Sequence, residues 1–352
     1  MSVRKGIDMN GTLLPLHFNF IKMNTFKALI TEEKADGFVN TVQQLDMNVL
    51  EKGEVVVAVA YSGINYKDYL SSKGNKGITR NYPHVPGIDV SGTVVSDKTD
   101  TFVNGEEVVV MGYDLGMNTD GGFAEYISVP AAWVMRKPAR FTLKETMLLG
   151  TSGFTAALGI KKMLQMGQKP NQGAVIVSGA TGGVGLWAVQ FLLKLDFEVW
   201  AITGKASSAA MLESMGVSKV FTREEAMGAV EKPLLRPRWA GALDTVGGET
   251  LVSLLKQTSK SGSVATCGNV GGMGLSMTVF PFILNGVNLL GINAADTPMR
   301  ERVEIWDFME KIVDPSMLDD KGALISLEDV PAALDQMGQS THTGRFTIQI
   351  GK

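Results

Sequence analysis

The stretch Ala174–Gly185 reads AVIVSGATGGVG and decides the fold. Its first residues are β-prone, its second half is a glycine-rich turn, and the apolar run Leu186–Lys194 is predicted to be a buried helix. Glycine lets the backbone turn tightly and approach a pyrophosphate without an intervening Cβ, and the free N–H groups of a helix start face the anion. The order of strand, glycine turn and helix therefore predicts a Rossmann nucleotide site. The alternative is an ordinary glycine turn between a core strand and a core helix.

Strand and helix signals alternate around this unit, which predicts a doubly wound parallel sheet, an α/β fold with helices on both faces. The predicted helices are 144–149, 154–166, 186–195, 207–215 and 248–257, and the predicted strands are 174–178, 197–202, 219–221, 240–244, 262–267 and 289–292.

The part of the chain before residue 135 has a different pattern, in which dense strand signals are separated by Gly, Asn, Asp and Pro. This spacing is typical of a small barrel-like β domain. Its predicted strands are 54–60, 92–95, 107–111 and 122–129. After helices at 300–313 and 327–336, a strand at 345–350 is expected to return to this β domain. Residues 1–22 show no helical period, and we expect a disordered extension or tag there.

Composition limits the class of protein. Lys and Arg total 33 against 36 Asp and Glu, a formal charge of −3, so nucleic acid is not an expected partner. The single cysteine, Cys267, cannot form a disulfide within the chain, which agrees with a reducing cytoplasm. One cysteine and three histidines argue against a cysteine-rich zinc site. No apolar run reaches the roughly 18 residues of a membrane span.

The end of the second predicted Rossmann strand indicates which nucleotide binds. NAD sites usually place Asp or Glu there to hold the ribose hydroxyls, whereas this chain has Thr203, Gly204 and Lys205. A cation and hydroxyl groups suit a 2′-phosphate, which a carboxylate would repel. The sequence therefore favours NADP(H) over NAD(H), although Lys205 alone could be a surface lysine. Arg223, after the next strand, is either a second phosphate or adenine contact or a surface residue.

Four motifs occur in the order seen in the medium-chain dehydrogenases/reductases. They are Gly63–Asp68 (GINYKD), Pro86–Gly92 (PGIDVSG), Gly121–Tyr126 (GGFAEY) and Gly179–Gly185 (GATGGVG). The chain resembles the zinc-free, quinone-oxidoreductase-like branch of that superfamily, and residues 23–352 resemble the acryloyl-CoA reductase (NADPH) family.

This resemblance implies a fold and the absence of a catalytic metal. The implied domains are a GroES-like β-barrel catalytic domain at 23–145 and 300–352 and a Rossmann nucleotide-binding domain at 146–299. Zinc-type members carry a ligand Cys at the position of Asn65 and Gly-His-Glu at Gly87–Asp89. Without those ligands zinc cannot polarise an alcohol, so we expect no metal site and no alcohol dehydrogenation.

The resemblance also implies a reaction, the NADPH-dependent reduction of a short 2-enoyl-CoA such as acryloyl-CoA. Hydride adds to the β-carbon, and preorganised donors hold the enolate charge on the thioester oxygen. The implied catalytic residues are Asn65, which would orient substrate or cofactor, Tyr66, which would contact the nicotinamide, and Lys67, which would stabilise charge or supply a proton. A buried structural tyrosine and a surface lysine are the alternatives for Tyr66 and Lys67.

A larger set of residues is expected to contact the cofactor. Residues 181–184 would line the pyrophosphate, and residues 268–269 would face the nicotinamide ribose. Arg345 resembles the closing arginine of the family near the cofactor, with a structural ion pair as the alternative. Cys267 is expected to be a core residue rather than a nucleophile. The full set is Tyr66, Thr181, Gly182, Gly183, Val184, Thr203, Gly204, Lys205, Arg223, Gly268, Asn269 and Arg345.

Two other functions stay open. A quinone or enone reductase would use the same fold, cofactor and hydride step. A non-catalytic NADPH-binding sensor or structural module is the other, and the intact loop Asn65–Asp68 argues against it. The apolar run Phe280–Ile292 is either the edge strand of a homodimer or an internal strand. Met273, Met277 and Phe280–Ile283 are either walls of the substrate cleft or core.

Overall fold

The structure is a computed structural model that describes residues 24–228, 231–318, 322–339 and 341–351; the predicted extension at 1–22 lies outside them. The strands in this part of the chain are β1 Thr25–Lys34, β2 Gly37–Asp46, β3 Val55–Gly63, β4 Asp89–Asp97, β5 Glu107–Met111, β6 Tyr126–Val129, β7 Val134–Arg136, β8 Val175–Ser178, β9 Val199–Ile202, β10 Lys219–Phe221, β11 Gly241–Asp244, β12 Ser263–Thr266, β13 Asn288–Gly291, β14 Gly322–Ile325 and β15 Arg345–Gln349.

The helices are α1 Tyr66–Ser72, α2 Leu143–Gln165, α3 Gly183–Lys194, α4 Ala209–Ser214, α5 Arg223–Ala226, α6 Gly248–Lys256, α7 Phe280–Asn285, α8 Met299–Ile312 and α9 Val330–Gly338. None of the helices in the described residues is long and apolar enough to cross a membrane.

The second half of the chain forms the predicted parallel sheet. Its six strands lie in the order β10-β9-β8-β11-β12-β13, and every neighbouring pair is parallel. Numbered from β8, this order is 3-2-1-4-5-6, which is that of a dinucleotide-binding Rossmann sheet. The carboxyl ends of β8 and β11 therefore lie side by side at the point where the strand order reverses.

The first half of the chain and its last strands form the β domain. A seven-stranded sheet has the order β14-β15-β3-β4-β5-β7, with β6 also paired to β3. The last strand of the described residues, β15, lies in this sheet and is antiparallel to β3. The hairpin of β1 and β2 joins it through isolated bridges from Ala28 to Ala124 and from Thr31 to His84.

Helix α2 connects the two sheets and contains a break. Thr142 caps its first turn by accepting from the Glu145 N–H. The two predicted helices at 144–149 and 154–166 are one element with non-helical backbone at Gly150, whose φ is 46° and ψ −156°. Buried side chains of α8 belong to the same apolar cluster as those of α2 and α3.

One predicted strand is shorter than expected. The run 122–129 forms strand only from Tyr126 onward. The N–H groups of Gly122 and Phe123 donate instead to the carbonyl groups of Gly87 and Pro86. A Cβ on Gly122 would overlap Val90, so this segment is a close packing contact rather than part of a ladder.

Candidate active site

A cleft of about 700 Å³ lies between the two sheets. One wall comes from the Rossmann domain and contains Gly182–Gly185 and Thr266–Val270. The other comes from the β domain and contains Ile64–Lys67 and Ile88. The break in α2 supplies polar side chains between the two walls.

The Rossmann wall is made mainly of backbone. Gly179 has φ 59°, a left-handed conformation that favours glycine, where the chain turns out of β8. A Cβ on Gly185 would overlap the carbonyl oxygen of Gly179, so glycine allows α3 to begin against the turn. Among the described residues, the N–H groups of Gly183, Val184 and Gly185 have no hydrogen-bond acceptor. Unpaired N–H groups at the start of a helix are the arrangement that binds anions.

The predicted nucleotide residues continue along the carboxyl end of the sheet. Thr181 and Thr203 are buried, with their hydroxyl oxygens 3.4 Å apart. Lys205 follows on the loop after β9, where its Nζ donates to the carbonyl oxygen of His342. Burial lowers the pKa of Lys205. Arg223 is exposed at the start of α5, and its guanidinium lies beside Gly204.

The β-domain wall carries the three residues predicted to be catalytic. Tyr66 is 40% exposed, so the alternative of a buried tyrosine is wrong. Lys67 is half-buried, and its Nζ makes no hydrogen bond or ion pair with any other described residue. Asn65 is buried, and its Nδ2 donates to a carboxylate oxygen of Asp89 at 2.9 Å and to the Gly63 carbonyl at 3.3 Å. The amide hydrogens of Asn65 are thus already used within the protein.

Arg345 lies beneath Asn65 and is buried together with its partner Asp89. Its Nη2 is ion-paired to Asp89, and its Nη1 donates to Asn65 Oδ1 at 2.9 Å and to Ser152 Oγ at 2.8 Å. Arg345 lines the cleft, but its guanidinium nitrogens are all bonded to protein groups. The ion-pair alternative for Arg345 is therefore present, and a cofactor contact stays a prediction.

Two further groups near the cleft have pKa values that burial raises. Burial raises the pKa of the Asp68 carboxyl to about 7. The N–H groups of Asn65, Gly87 and Ile88 donate to this carboxyl at 2.7 to 3.1 Å, and the bonds from Asn65 and Ile88 oppose the rise in pKa. Burial also raises the pKa of the Cys267 thiol to about 12. Cys267 is a neutral thiol, which agrees with the prediction that it is not a nucleophile, although it lines the cleft.

The structure brings most of the predicted site residues into the cleft, and the nucleotide residues that do not line it follow at the same edge of the sheet. Those that line it are Asn65, Tyr66, Lys67, Gly182, Gly183, Val184, Gly268, Asn269 and Arg345. The predicted cleft wall of methionine and phenylalanine is wrong. Neither Met273, which is 89% exposed, nor Met277 lines the cleft, and neither does any residue of Phe280–Ile283.

Sequence reasoning missed several polar residues of the cleft. Thr151 and Ser152 enter it directly after the break at Gly150, and a glycine followed by two hydroxyl residues inside an apolar helix was a usable signal. Asp89 lies in the motif Pro86–Gly92, and its sequence context predicts no role for it. His342 lines the cleft with a buried Nδ1 that has no hydrogen-bond partner in the described residues, and nothing local marks it.

The comparisons with known proteins agree with this geometry. The family model described as the alcohol dehydrogenase GroES-like domain matches residues 51–139, and the model described as zinc-binding dehydrogenase matches residues 183–311. The chain belongs to the medium-chain dehydrogenase/reductase superfamily of oxidoreductases. In the part of the chain that the structure describes, no group of three or more His, Cys, Asp and Glu side chains could hold a metal ion.

Three relatives show where the chain lies within that superfamily. YhfP of Bacillus subtilis, named as a quinone oxidoreductase, is 43% identical over 92% of this chain and 99% of its own. The acrylyl-CoA reductase AcuI of Ruegeria pomeroyi is 38% identical over the same shares. The yhdH oxidoreductase of Salmonella enterica, solved with NADP, is 38% identical with a TM-score of 0.89 over 92% of this chain and all of its own. YhfP was solved with NAD, also at a TM-score of 0.89.

Proposed function

We propose that this protein reduces a short 2-enoyl-CoA with NADPH, in particular acryloyl-CoA to propanoyl-CoA, without a metal ion and in the cytoplasm. The observation that carries the proposal is one cleft with free N–H groups of the glycine turn on one wall and Tyr66 and Lys67 on the other. The name of the Ruegeria pomeroyi relative and the NADP in the Salmonella enterica structure support it.

The nucleotide end of the cleft supports NADPH over NADH. No carboxylate occurs in the loop of residues 203–208 after β9. Lys205 donates there to a neutral carbonyl oxygen of His342. A 2′-phosphate would replace that acceptor with a charged one, and charge-assisted hydrogen bonds are the stronger kind. NAD in the Bacillus subtilis relative makes NADH the competitor to measure.

The protein must hold the charge that the reaction creates. When bound, NADPH supplies a hydride to the β-carbon, and the C=C electron pair moves to the α-carbon and the thioester oxygen. Lys67 has no partner among the described residues and lines the cleft, so its ammonium is available to that oxygen or as a proton source for the α-carbon. The Ser152 hydroxyl accepts from Arg345, and its own proton has no acceptor in the described residues. Asn65 has no amide hydrogen left to donate.

A quinone or enone reductase is the competing proposal, because YhfP carries the name of a quinone oxidoreductase at 43% identity. The hydride step and the residues would be the same. Stopped-flow NADPH oxidation should compare acryloyl-CoA, longer 2-enoyl-CoA esters, a free enone and a simple quinone. We expect the highest kcat/KM with acryloyl-CoA. Turnover of the quinone without the thioester would replace the proposal, and NADPH binding without any turnover would support a non-catalytic module.

We also propose that the protein is a homodimer paired along β13. This strand is one of the two edge strands of the Rossmann sheet. Helix α7 beside it exposes apolar side chains, among them Ile283 at 67% and Leu284 at 56%. An open strand edge next to exposed apolar surface is stabilised when it is covered. Sedimentation should show a dimer, and Ile283→Glu should convert it to a monomer; a monomeric wild type would overturn this proposal.

A further inference from the structure

The break in helix α2 leaves one helical hydrogen bond unmade. In a regular helix the N–H of Thr151 would donate to the carbonyl oxygen of Met147, four residues earlier. The backbone of Gly150 turns away from helical values between them, with φ 46° and ψ −156°. The Met147 carbonyl and the Thr151 N–H therefore lose their helical partners, at a buried and a half-buried residue respectively, where an unpaired polar group is costly.

The ion pair of Arg345 and Asp89 fills this gap. The Thr151 N–H donates to Asp89 Oδ2 at 2.9 Å, and Arg345 Nε donates to the Met147 carbonyl at 2.8 Å. The Asp89 carboxylate thus lies at the N-terminal end of the second half of α2, and the Arg345 guanidinium lies at the C-terminal end of the first half. These are the ends that favour each charge.

The surroundings are shaped to hold a guanidinium. A Cβ on Gly63 or on Gly150 would overlap Arg345 Nη2. Asp89 is fully buried and Arg345 is 4% exposed, so the pair is removed from water. Such a pair is tolerated only when further hydrogen bonds satisfy the remaining donors and acceptors, and here the Thr151 hydroxyl and Asn65 Nδ2 also donate to Asp89.

The same guanidinium reaches Asn65, the residue that precedes α1 and the predicted catalytic residues Tyr66 and Lys67. Nη1 of Arg345 bridges Asn65 Oδ1 on the β-domain wall and Ser152 Oγ on the second half of α2. We propose that Arg345, paired with Asp89, is a positioning residue that fixes Asn65, and through it the start of α1 with Tyr66 and Lys67, relative to the Rossmann wall. This inference rests on the proposed hydride transfer across the cleft.

The fork shape of the guanidinium is what the position requires. A lysine at this position could keep the charge opposite Asp89, but one ammonium cannot also reach Met147, Asn65 and Ser152. Arg345→Lys should therefore separate positioning from charge. The expected result is a kcat lowered on the order of 100-fold, as for a small misplacement of reacting groups, with the NADPH dissociation constant nearly unchanged.

Arg345→Ala provides a rescue test, because it leaves a space between two glycines that a free guanidinium ion fits. Millimolar guanidinium should restore part of kcat in this variant. Ile305→Ala, in the buried face of α8 away from the cleft, is the control for lost stability. It should lower Tm, leave kcat of the folded enzyme at the wild-type value and show no rescue. If Arg345→Ala does not fold, Arg345→Lys carries the test.

The outcomes separate this inference from the proposed function. Wild-type kcat in folded Arg345→Lys overturns it, and so does guanidinium that raises the Tm of Arg345→Ala without restoring kcat. If the wild type reduces no enoyl-CoA or quinone, the proposed function fails, and the fluorescence of bound NADPH becomes the readout. At saturating NADPH, a change in the fluorescence of the bound cofactor in Arg345→Lys, and the return of the wild-type fluorescence with guanidinium in Arg345→Ala, would still support positioning. Unchanged fluorescence of bound NADPH in Arg345→Lys would overturn it.

Discussion

The two walls of the cleft are built from different kinds of groups. The Rossmann wall presents neutral backbone N–H groups of residues 183–185 and depends on the absence of side-chain atoms. The β-domain wall is held from beneath by ionisable groups, namely Asp68, Asp89 and Arg345, all of them buried. Added side-chain volume should therefore disrupt the Rossmann wall, and removal of a charge should disrupt the β-domain wall.

The largest effect is expected from removing charge beneath the β-domain wall. Asp89→Ala leaves Arg345 buried without its anion and leaves the Thr151 N–H without an acceptor. Breaking one partner of a buried ion pair costs about 3–5 kcal/mol, and urea unfolding monitored by circular dichroism should show a loss of this size.

Asp97→Ala is the matched control, because Asp97 lies on the same strand and accepts hydrogen bonds from Thr99, Thr101 and Phe102 near the surface. It should cost about 1 kcal/mol, as for other local side-chain caps. Equal losses in the two variants would mean that burial of the charge pair does not distinguish the β-domain wall.

A single methyl group should damage the Rossmann wall. Gly185→Ala places a Cβ onto the carbonyl oxygen of Gly179, so the glycine turn and α3 must move apart. Overpacking of this kind costs about 1–3 kcal/mol, and we expect NADPH to bind about 10- to 100-fold more weakly in a fluorescence titration.

Gly274→Ala is the control for this variant, since apart from its chain neighbours no described residue has an atom within 4 Å of the added Cβ. Its NADPH affinity should equal that of the wild type. An unchanged affinity in Gly185→Ala would show that the close approach of helix and turn is not required.

The Rossmann wall could be predicted because its determinants are local. The strand, the glycine turn and the helix are consecutive in Ala174–Gly185, and the missing carboxylate near Lys205 is visible in the same unit. Even the break in α2 falls between two separately predicted helices. Each of these features depends on neighbours within a few residues in the chain.

The network beneath the β-domain wall could not be predicted because its partners are distant in sequence. Arg345 and Asn65 are 280 positions apart, and neither position has a local pattern that identifies the other. The strand predicted at 122–129 is confirmed only from Tyr126 onward for the same reason, since the N–H groups of Gly122 and Phe123 donate to the carbonyl groups of Gly87 and Pro86 in another motif. Tertiary partners override local strand preference there.

The ionisable groups beneath the β-domain wall should also make the free energy of unfolding depend on pH. The pKa of Asp68 is about 7 in the folded protein, above the ordinary value of 3.8. The folded state therefore binds this proton more tightly than the unfolded state, and the stabilisation is lost as pH rises through 7. Between about pH 4 and pH 7 this group should lower the free energy of unfolding by at most about 1.4 kcal/mol per pH unit.

Urea unfolding at several pH values, in wild type and in Asp68→Asn, isolates this contribution. The amide lacks the titration, so the variant should lack that component of the slope even if its stability is lower overall. Parallel pH profiles would show that Asp68 does not titrate in this range.

The smallest effect is expected at Lys205, a charged residue that lies on the loop after β9, outside the Rossmann wall but at the same edge of the sheet. Because the Lys205 Nζ already donates to the His342 carbonyl oxygen, binding a 2′-phosphate exchanges one acceptor for a stronger one. Only the difference between the two hydrogen bonds contributes to the affinity. Lys205→Ala should weaken NADPH binding about tenfold and leave NADH binding unchanged. Lys219→Ala, which removes an ammonium placed over the Trp200 ring on the same sheet, is the control and should change neither affinity. Equal losses for NADPH and NADH would mean that Lys205 supports the loop rather than the phosphate.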